Sequence, residues 1–402
     1  MTSRLDPEAV PAPVKEVVST LLAGGHRAFL VGGCVRDMLR GEKPKDFDVA
    51  TSARPNVVQK LFNRVIPTGI EHGTVTVIAR GQHVEVTTFR AEAEYVDGRR
   101  PSRVDFHEDI DADLARRDFT MNAMAWDPVS NQFVDPFGGQ ADLEAKVVRC
   151  VRDPLERFSE DGLRCLRAVR FATVLDFTVE PATEAAIGQT LEVFKKVAAE
   201  RVHQEFVKLL LAPHVATGLG LLQRTGLMRA FVPEALEADH AAVGRAPASE
   251  VVRLAVLLAH RVDARDVVLR LRFPNRVGDD VGHLVRHQEL PDGATDDAGL
   301  RRWLSRVDAA FAPALLDAAR ARGREPSGLR ARVEALLASQ PPLTTKALAL
   351  DGKAIMQALG VGPSAVVGHA ARYLLDVVLE DPSKNTVEAL TGALRTWKPP
   401  PA

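Results

Sequence analysis

Two aspartates, Asp46 and Asp48, are separated by one phenylalanine in the segment KDFDVAT. The segment is typical of a β-strand, whose period of two places both carboxylates on one face and Phe47 in the core. Two hard oxygen ligands beside a phosphate are what Mg²⁺ usually takes from a protein. Carboxylates in this arrangement hold ions that activate a hydroxyl and stabilise a leaving pyrophosphate. A lone D-x-D more often lies in a turn or at the solvent-exposed edge of a sheet, so the hypothesis of a metal site needs further support.

A glycine pair, Gly32 and Gly33, lies upstream, between the apolar run FLV and the helical stretch VRDMLRG. Bare N–H groups and the helix dipole at such a strand-to-helix turn favour an anion. Arg36 in the first helical turn is able to reach a phosphate, and its ordinary alternative is an ion pair with Asp37. Neither G-x-G-x-x-G nor G-x-x-x-x-G-K-[ST] is present here, so Rossmann and P-loop interpretations of this turn fail.

Glu85 alternates with Val84 and Val86 in HVEVTTFR and therefore faces away from their side. On a strand adjacent to KDFDVAT it would stand near the aspartates as a third carboxylate. A plain structural acid fits the same pattern.

These residues belong to a region of mixed predicted strands and helices that ends near residue 148. AFLVGG, KDFDVAT, TVTVIA and HVEVTTF predict strands, and VRDMLRG and residues 55–62 predict helices. Beyond Arg149, Asp153-Pro154 predicts a helix start, and helical spacing dominates to the C-terminus. The sequence therefore predicts an α+β fold: a head with a small mixed or antiparallel sheet and flanking helices, then an all-α neck, body and tail.

Composition narrows the functional classes. The 402 residues are 46% hydrophobic and 26% charged, as in a globular chain of several domains. No apolar run approaches the ~20 residues of a membrane span, no secretory signal is evident, and three cysteines without metal-ligand spacing favour the cytoplasm. Because the net charge is −1, any RNA surface must be local. Residues 301–332, with eight arginines, are one candidate, and a solvated helical face is the alternative.

LVGGCVRDMLRG followed by PKDFDVAT resembles the opening motif of class II tRNA nucleotidyltransferases and bacterial poly(A) polymerases, within the DNA polymerase beta superfamily. Three later stretches resemble other motifs of this family in the right order. DLARRDFTMNAMAWD (113–127) is similar to the ribose-recognition motif, DPFGGQADLEAKVVRCV (135–151) to the hinge, and DPLERFSEDGLRCLRAVRFA (153–172) to the nucleotide-selecting helix. The resemblance covers about residues 28–172.

The resemblance implies roles for RRDFT. Asp118 would hydrogen-bond the ribose 2′-OH and thereby select NTPs over dNTPs. Arg116 and Arg117 are adjacent and cannot share one helical face, so we expect different tasks for them, one being to pair with the triphosphate or a hinge acid. Asn122 would be a further substrate contact.

Glu160, Asp161, Arg164 and Arg167 follow at spacings of three and four on the helix predicted from Pro154. Surface ion pairs of Arg164 with Glu160 and Asp161 are the ordinary interpretation. The resemblance implies instead that Asp161 and Arg164 imitate a complementary base and read CTP or ATP. The arginine would donate to cytosine, and the carboxylate would accept from the exocyclic amine that UTP and GTP lack. Arg167 extends the same stripe as a nucleotide-binding residue.

Gly162 lies within this predicted helix, where glycine costs ~1 kcal/mol relative to alanine. Close approach of a base or of a neighbouring helix would explain it. Residues 91–103 are polar and turn-rich. The family's corresponding flexible loop occurs in enzymes that add the final A, so its presence predicts complete CCA addition.

The resemblance thus implies template-independent addition of C, C and A to tRNA 3′ ends, from CTP and ATP, with Mg²⁺ as cofactor and pyrophosphate as product. We expect a catalytic head (1–148), a nucleotide-selecting neck (149–215), an RNA-binding body (216–338) and a tRNA-binding tail (339–402). Poly(A) polymerases and enzymes adding only A or only CC use the same head. A non-catalytic RNA-binding protein with a retired head is the alternative of another class, and intact Asp46, Asp48 and Asp118 argue against it. The oligomeric state is left open.

Overall fold

The computed structural model of the chain describes residues 5–90 and 109–399. The strands in these ranges are β1 (Ala28–Val31), β2 (Asp48–Thr51), β3 (Val65–Gly69), β4 (Thr74–Ala79), β5 (Gln82–Thr88), β6 (Ala125–Asp127), β7 (Gln132–Val134), β8 (Val147–Val148) and β9 (Thr178–Val179). The α-helices of the first half are α1 (Ala12–Ala23), α2 (Gly33–Leu39), α3 (Pro55–Leu61), α4 (Ile110–Ala115), α5 (Gly139–Glu144), α6 (Pro154–Glu160), α7 (Leu163–Leu175), α8 (Pro181–Gln189), α9 (Leu191–Phe194), α10 (Ala199–Leu210), α11 (Val215–Arg224) and α12 (Leu227–Phe231). The later helices are α13 (His240–Arg245), α14 (Glu250–Leu257), α15 (Ala264–Arg270), α16 (Asn275–Arg286), α17 (Asp297–Val307), α18 (Ala312–Ala321), α19 (Leu329–Ala338), α20 (Gly352–Leu359), α21 (Ala365–Glu380) and α22 (Val387–Thr396).

The chain forms two compact units, Met1–Leu236 and Glu237–Ala402. All the strands given above belong to the first unit, and the described part of the second is helical. The predicted α+β fold with a helical remainder is therefore confirmed. The finer division at residues 148, 215 and 338 stays a prediction.

The head contains a seven-stranded sheet in the order β3-β4-β5-β2-β1-β6-β7. Strands β2 and β5 pair in parallel, and the other neighbours pair antiparallel. In β4 and β5, buried valines alternate with more accessible residues, because successive side chains of a strand point to opposite faces. The sheet is mixed, as the sequence predicts.

The core of the head lies between this sheet and its flanking helices. Phe29, Val31 and Ala50 of the two central strands pack in one cluster with Ile110 and Leu114 of α4. The cluster packs β1, β2 and α4 against one another. Gly32, Asp48 and Arg116, at the ends of these three elements, are therefore positioned by one common core.

The single helix predicted from Pro154 is wrong, since two helices, α6 and α7, replace it. Asp153 does cap α6 and accepts a hydrogen bond from the Glu156 N–H, as predicted. The break occurs at Asp161, whose backbone is extended (φ −145°, ψ 102°). A Cβ on Gly162 would lie 2.7 Å from the Phe194 Cα atom, so the glycine permits close approach of the α9 backbone.

The second unit has its own apolar core around α20, α21 and α22, with Leu374 and Leu390 fully buried. Within residues 301–332, several arginines bind acceptors of the same unit: Arg301 donates to the Leu379 carbonyl, and Arg330 pairs with Glu325 at 2.9 Å. These pairs favour the structural interpretation of that basic stretch. No helix among the described residues is both long and apolar enough to cross a bilayer.

Candidate active site

A cleft of about 500 Å³ opens in the first unit beside the ends of β1 and β2. Eleven of the thirteen predicted site residues line it: Gly32, Gly33, Arg36, Asp48, Arg116, Arg117, Asp118, Asn122, Asp161, Arg164 and Arg167. Leu163, Arg170, Phe171 and Arg201 complete the lining. Seven arginines and three aspartates therefore face this cleft, which gives it the charge expected of a polyphosphate site.

The three predicted carboxylates form an edge at the start of β2, where Asp48 lines the cleft. Asp48 begins β2 and is paired in register with Glu85 on the parallel strand β5. Asp46 lies two residues before the strand begins, and Phe47 between them is buried. Burial and then the neighbouring Glu85 raise the pKa of Asp48 to about 6, against the opposing effect of Arg117. The register thus brings Glu85 beside Asp48, while neither Glu85 nor Asp46 lines the cleft.

This carboxylate edge fits a cation that brings its own oxygen ligands. No three His, Cys, Asp or Glu side chains in the described ranges converge closely enough to cage a metal ion. Asp46 and Asp48 nevertheless offer hard oxygen donors next to a basic cleft. Because Mg²⁺ binds through one or two carboxylates plus substrate phosphates rather than in a protein cage, two carboxylates suffice for it.

The glycine turn between β1 and α2 has a backbone conformation with positive φ, which favours glycine. Gly32 adopts φ 73° and ψ −127°, a region that costs other residues about 1–3 kcal/mol. A Cβ at this position would lie 2.9 Å from Nη1 of Arg117. The turn and the Arg117 guanidinium are therefore fitted to each other.

We expect Gly32→Ala to raise KM for CTP by about tenfold and to lower the free energy of unfolding by about 1–3 kcal/mol. Both effects follow from the strained backbone and the displaced Arg117 guanidinium. Steady-state kinetics and urea unfolding measure them. Gly41→Ala is the matched control: it also has positive φ (77°), yet a Cβ there meets no atom within 4 Å. Equal KM values for the two variants would contradict a role of the Gly32 turn in nucleotide binding.

The adjacent arginines converge on one buried carboxylate. Nε and Nη2 of Arg116 donate to Oδ1 of Asp113 at 2.9 and 2.6 Å, and Nη2 of Arg117 donates to Oδ2 at 3.0 Å. Burial opposes ionisation of Asp113, but Arg117 and Arg116 overcome it and hold its pKa below the usual range. Asp113 is an organiser of the site that sequence reasoning missed, although its i,i+3 and i,i+4 spacing to the arginines is a signal for it.

Asp118 is saturated with hydrogen bonds. Its Oδ1 accepts from the Phe119 N–H at 2.9 Å and from the Asn122 amide at 3.1 Å. Its Oδ2 accepts from Nε and Nη2 of Arg167 at 2.8 and 2.5 Å. Burial raises the pKa of Asp118, but Arg167 and the Asn122 hydrogen bond outweigh it and lower the pKa to about 2. With four donors on two oxygens, the carboxylate has no spare acceptor site toward the described residues.

Asn122 connects this carboxylate to the glycine turn. Its side-chain oxygen accepts from Nη1 of Arg36 at 2.9 Å, and Arg36 also pairs with Asp37 at 2.8 Å. The alternative ion pair of Arg36 with Asp37 is therefore formed, yet the same guanidinium faces the cleft. Arg36 also lies over the Phe171 ring, 5.3 Å from its centroid.

Helix α7 supplies a second set of arginines. Nε of Arg170 donates to Glu205 of α10 at 2.7 Å, and the Arg170 guanidinium lies 3.4 Å from the Phe171 centroid. Nη1 of Arg167 lies 3.7 Å from the same glutamate. Sequence reasoning missed Arg170 and Phe171, although they lie three and four residues beyond Arg167 and are therefore predicted on the same helical face.

The predicted base-reading pair is held by different partners. Nη1 of Arg164 donates to Glu160 at 2.6 Å and to the Arg157 carbonyl at 2.9 Å. Asp161 is bound by Arg201 of α10 at 3.2 and 2.7 Å. Thus the ordinary pair Glu160–Arg164 is present, whereas Asp161 turns to Arg201. The loop predicted to carry CCA specificity, residues 91–103, lies outside the described residues.

Two family models match this chain. One, described as the poly A polymerase head domain, matches residues 28–149. The other, described as the probable RNA and SrmB-binding site of polymerase A, matches residues 176–239. Both matches lie almost entirely within the first unit.

Individual relatives identify the family more closely. The CCA-adding enzyme of Geobacillus kaustophilus is 39% identical over 95% of both chains. That of Anoxybacillus flavithermus is 47% identical, over an alignment spanning 54% of each chain. The crystal structure of the Bacillus stearothermophilus CCA-adding enzyme in complex with CTP superimposes with a TM-score of 0.81 at 30% identity, covering 96% of this chain and 99% of that one. The chain therefore belongs to the family of CCA-adding enzymes, which are nucleotidyltransferases.

Proposed function

We propose that this protein adds C, C and A to the 3′ end of tRNA, from CTP and ATP, with release of pyrophosphate. One observation carries the proposal: Asp161, Arg164, Asp118 and Asp48 line a single cleft. We assign the first two to the base, Asp118 to the ribose and Asp48 to the cation. A nucleoside triphosphate needs those groups together. The whole-chain similarity to CCA-adding enzymes supports the same activity.

Nucleotidyltransferases of this family generally use a divalent metal ion, and we propose Mg²⁺ held by Asp46 and Asp48. When bound, the ion supplies positive charge to the triphosphate and lowers the pKa of the attacking hydroxyl. Glu85, in register with Asp48, is the proposed third carboxylate of this edge. Its negative charge strengthens the field that attracts the cation.

The arginines of the cleft position the triphosphate. Arg117 lies against Gly32, and Arg36 lies near Gly33. Each is anchored by a carboxylate, Arg36 by Asp37 and Arg117 by Asp113. Because the anchors hold the guanidinium groups before substrate arrives, little side-chain entropy is lost on binding. In-line attack by the tRNA 3′-hydroxyl on the α-phosphate then requires positioning and charge, with no covalent enzyme intermediate.

Base choice is assigned to Asp161 and Arg164. A carboxylate accepts from the exocyclic amine of cytosine or adenine and repels the carbonyl that uracil or guanine presents there. Arg164 is held by three acceptors, Glu160 and the carbonyls of Arg157 and Arg116. Asp161 and Arg164 therefore act as a fixed set of hydrogen-bonding groups that takes the place of a complementary base.

Ribose selection by Asp118 takes place by exchange of hydrogen bonds. All four acceptor positions of the carboxylate are filled by Phe119, Asn122 and Arg167. A ribose 2′-OH must therefore replace one of these donors, and a deoxyribose offers no replacement. Where nucleotide binding displaces a donor, a ribose 2′-OH refills that acceptor position and a deoxyribose leaves it unpaired, and we assign selectivity for NTPs to this difference.

The activity is tested with tRNA transcripts that lack CCA, end in C or end in CC, incubated with Mg²⁺ and single or mixed NTPs. We expect three, two and one added nucleotides respectively, with both CTP and ATP needed for the first two transcripts and ATP alone for the third. A long A ladder on any RNA would indicate a poly(A) polymerase, which shares the head. Products stopping at CC, or only A added to the CC transcript, would indicate the partial activities. No incorporation would favour the RNA-binding alternative.

A further inference from the structure

Asp161 lies in the short break between α6 and α7 and is held there from outside its own helix. Its extended backbone (φ −145°, ψ 102°) removes it from the helical stripe that the sequence predicts. Oδ1 accepts from the Leu163 N–H, at the first residue of α7, at 3.1 Å. This bond fixes one oxygen but leaves the plane of the carboxylate undetermined.

Arg201, in the first turn of α10, supplies the missing constraint. Its Nη1 donates to Oδ1 of Asp161 at 3.2 Å, and its Nη2 donates to Oδ2 at 2.7 Å. A planar guanidinium bound to both oxygens fixes the plane of the carboxylate as well as its position. The side chains are 39% and 23% exposed, so the pair stands at the wall of the cleft that both residues line.

The segment formed by α9 and α10, which carries Arg201, also contacts the backbone of the break. A Cβ on Gly162 would meet the Phe194 Cα atom at 2.7 Å, so the backbone of α9 lies directly against the break. Helices α9 and α10 are consecutive, and Glu205 of α10 also binds Arg170 of α7. The α9–α10 segment therefore positions both the backbone and the side chain of the break.

Discrimination by a carboxylate depends on such fixation. Among the described residues, Leu163 and Arg201 donate to both lone pairs of Oδ1, and Arg201 also donates to one lone pair of Oδ2. The remaining lone pair is available to an exocyclic amine. A carbonyl of uracil or guanine is rejected only while this oxygen is held in place, because a mobile carboxylate would rotate away from the repulsion.

We propose that Arg201 is a positioning residue for nucleotide selectivity, which holds the Asp161 carboxylate in the orientation that accepts C and A and rejects U and G. The inference rests on the proposed function. Arg201 acts through Asp161, and α10 thereby becomes part of the machinery that chooses the base. Loss of Arg201 should relax the choice more than it slows the reaction.

The test compares kcat/KM for CTP and UTP, on transcripts lacking CCA, in wild type, Arg201→Met and Arg201→Lys. We expect the CTP:UTP ratio to fall at least tenfold in the Met variant, mainly through a higher KM for CTP. The Lys variant should fall in between, since its ammonium keeps the charge without the fork. Arg224→Met is the matched control: Arg224 pairs with Glu184 across two helices of the same unit, away from the cleft lining.

A double-mutant cycle separates positioning from direct contact. In the Asp161→Asn background, Arg201→Met should leave the CTP:UTP ratio unchanged within twofold. An equally large loss in that background would mean that Arg201 touches the nucleotide itself and would overturn the proposal. So would an equal loss of kcat/KM for CTP and UTP, or tighter binding of CTP by the Met variant. Thermal unfolding within a few degrees of wild type confirms that the variants are folded.

Failure of the proposed function can be distinguished from failure of the inference about Arg201. If wild type incorporates UTP as readily as CTP, the assignment of base choice to the cleft is wrong and the role of Arg201 falls with it. If wild type prefers CTP and Arg201→Met keeps that preference, only the positioning role is wrong.

Discussion

Replacement of Asp48 by asparagine is expected to reduce nucleotide incorporation on the order of a thousandfold while the protein stays folded. The substitution keeps the size of the side chain and removes one charged oxygen ligand at the mouth of the cleft. The Asp48 carboxylate faces the like charge of Glu85 in the parallel register, and directly opposed like charges destabilise a sheet. The Tm should therefore be unchanged or slightly higher than that of wild type.

Single-turnover incorporation of CTP measures the loss, and Mn²⁺ titration by calorimetry gives a readout that does not depend on activity. Affinity for Mn²⁺ in the presence of CTP should fall at least tenfold in Asp48→Asn. Glu71→Gln, at an exposed position in the same head, is the charge-matched control and should behave as wild type in both measurements. Near-normal activity of Asp48→Asn would show that the metal assignment is wrong.

The second large effect is expected for Asp118→Ala. The substitution removes the carboxylate that binds Arg167 in a partly buried pair, in which the Asp118 side chain is 9% exposed and that of Arg167 is 32% exposed. Removing one partner of a buried pair costs about 3–5 kcal/mol, because the other charge is left uncompensated. We expect about 3 kcal/mol, since Arg167 retains Glu205 at 3.7 Å, and a fall in Tm of about 6–12 °C.

The same variant should lose ribose selectivity. The ratio of kcat/KM for CTP over dCTP is expected to fall at least tenfold, since neither sugar can then exchange a hydrogen bond with residue 118. Glu184→Ala, which breaks an exposed pair with Arg224, is the control and should cost at most about 1 kcal/mol. Unchanged CTP:dCTP selectivity with a lowered Tm would leave Asp118 as a purely structural residue.

The stability that Asp118 contributes depends on pH in a defined direction. Its pKa of about 2 in the folded protein lies below the ordinary value of 3.8, so the ionised carboxylate stabilises the folded state by about 2 kcal/mol at neutral pH. This contribution is complete above pH ~4 and is lost as pH falls through the range from about 4 to 2. The difference in unfolding free energy between wild type and Asp118→Ala, measured in urea at several pH values, should shrink over that range.

Local patterns predicted most of the head. The alternation in β4 and β5, the strand ending at the glycine turn, and the Asp153-Pro154 helix start each depend on residues close in sequence. Strand β6, residues 125–127, was not predicted, because it is three residues long and buried throughout, so no alternation marks it. The break at Asp161 was not predicted because Glu160, Arg164 and Arg167 keep helical spacing across it.

The site residues that the sequence did not predict also divide into those with a local signal and those brought close only by tertiary contacts. Arg170 and Phe171 extend the spacing of Arg164 and Arg167 along α7, so a longer window would have included them. Arg201 reaches Asp161 across forty residues of sequence, and Phe194 approaches Gly162 across thirty-two. Such contacts arise only when α9 and α10 fold back on α7, which no local pattern encodes.

Helix α7 has a consequence for how the site can change. Eleven of its thirteen residues are buried, among them Arg164 and Arg170 of the cleft. Sites carried by surface loops open locally and tolerate substitution, whereas buried central helices exchange their amide hydrogens only in openings that approach global unfolding. Arg164, the proposed base-reading residue of this helix, is thus as protected as the core itself. A lineage that altered its nucleotide preference through this helix would have to repack the interior at the same time, which couples the evolution of specificity to that of stability.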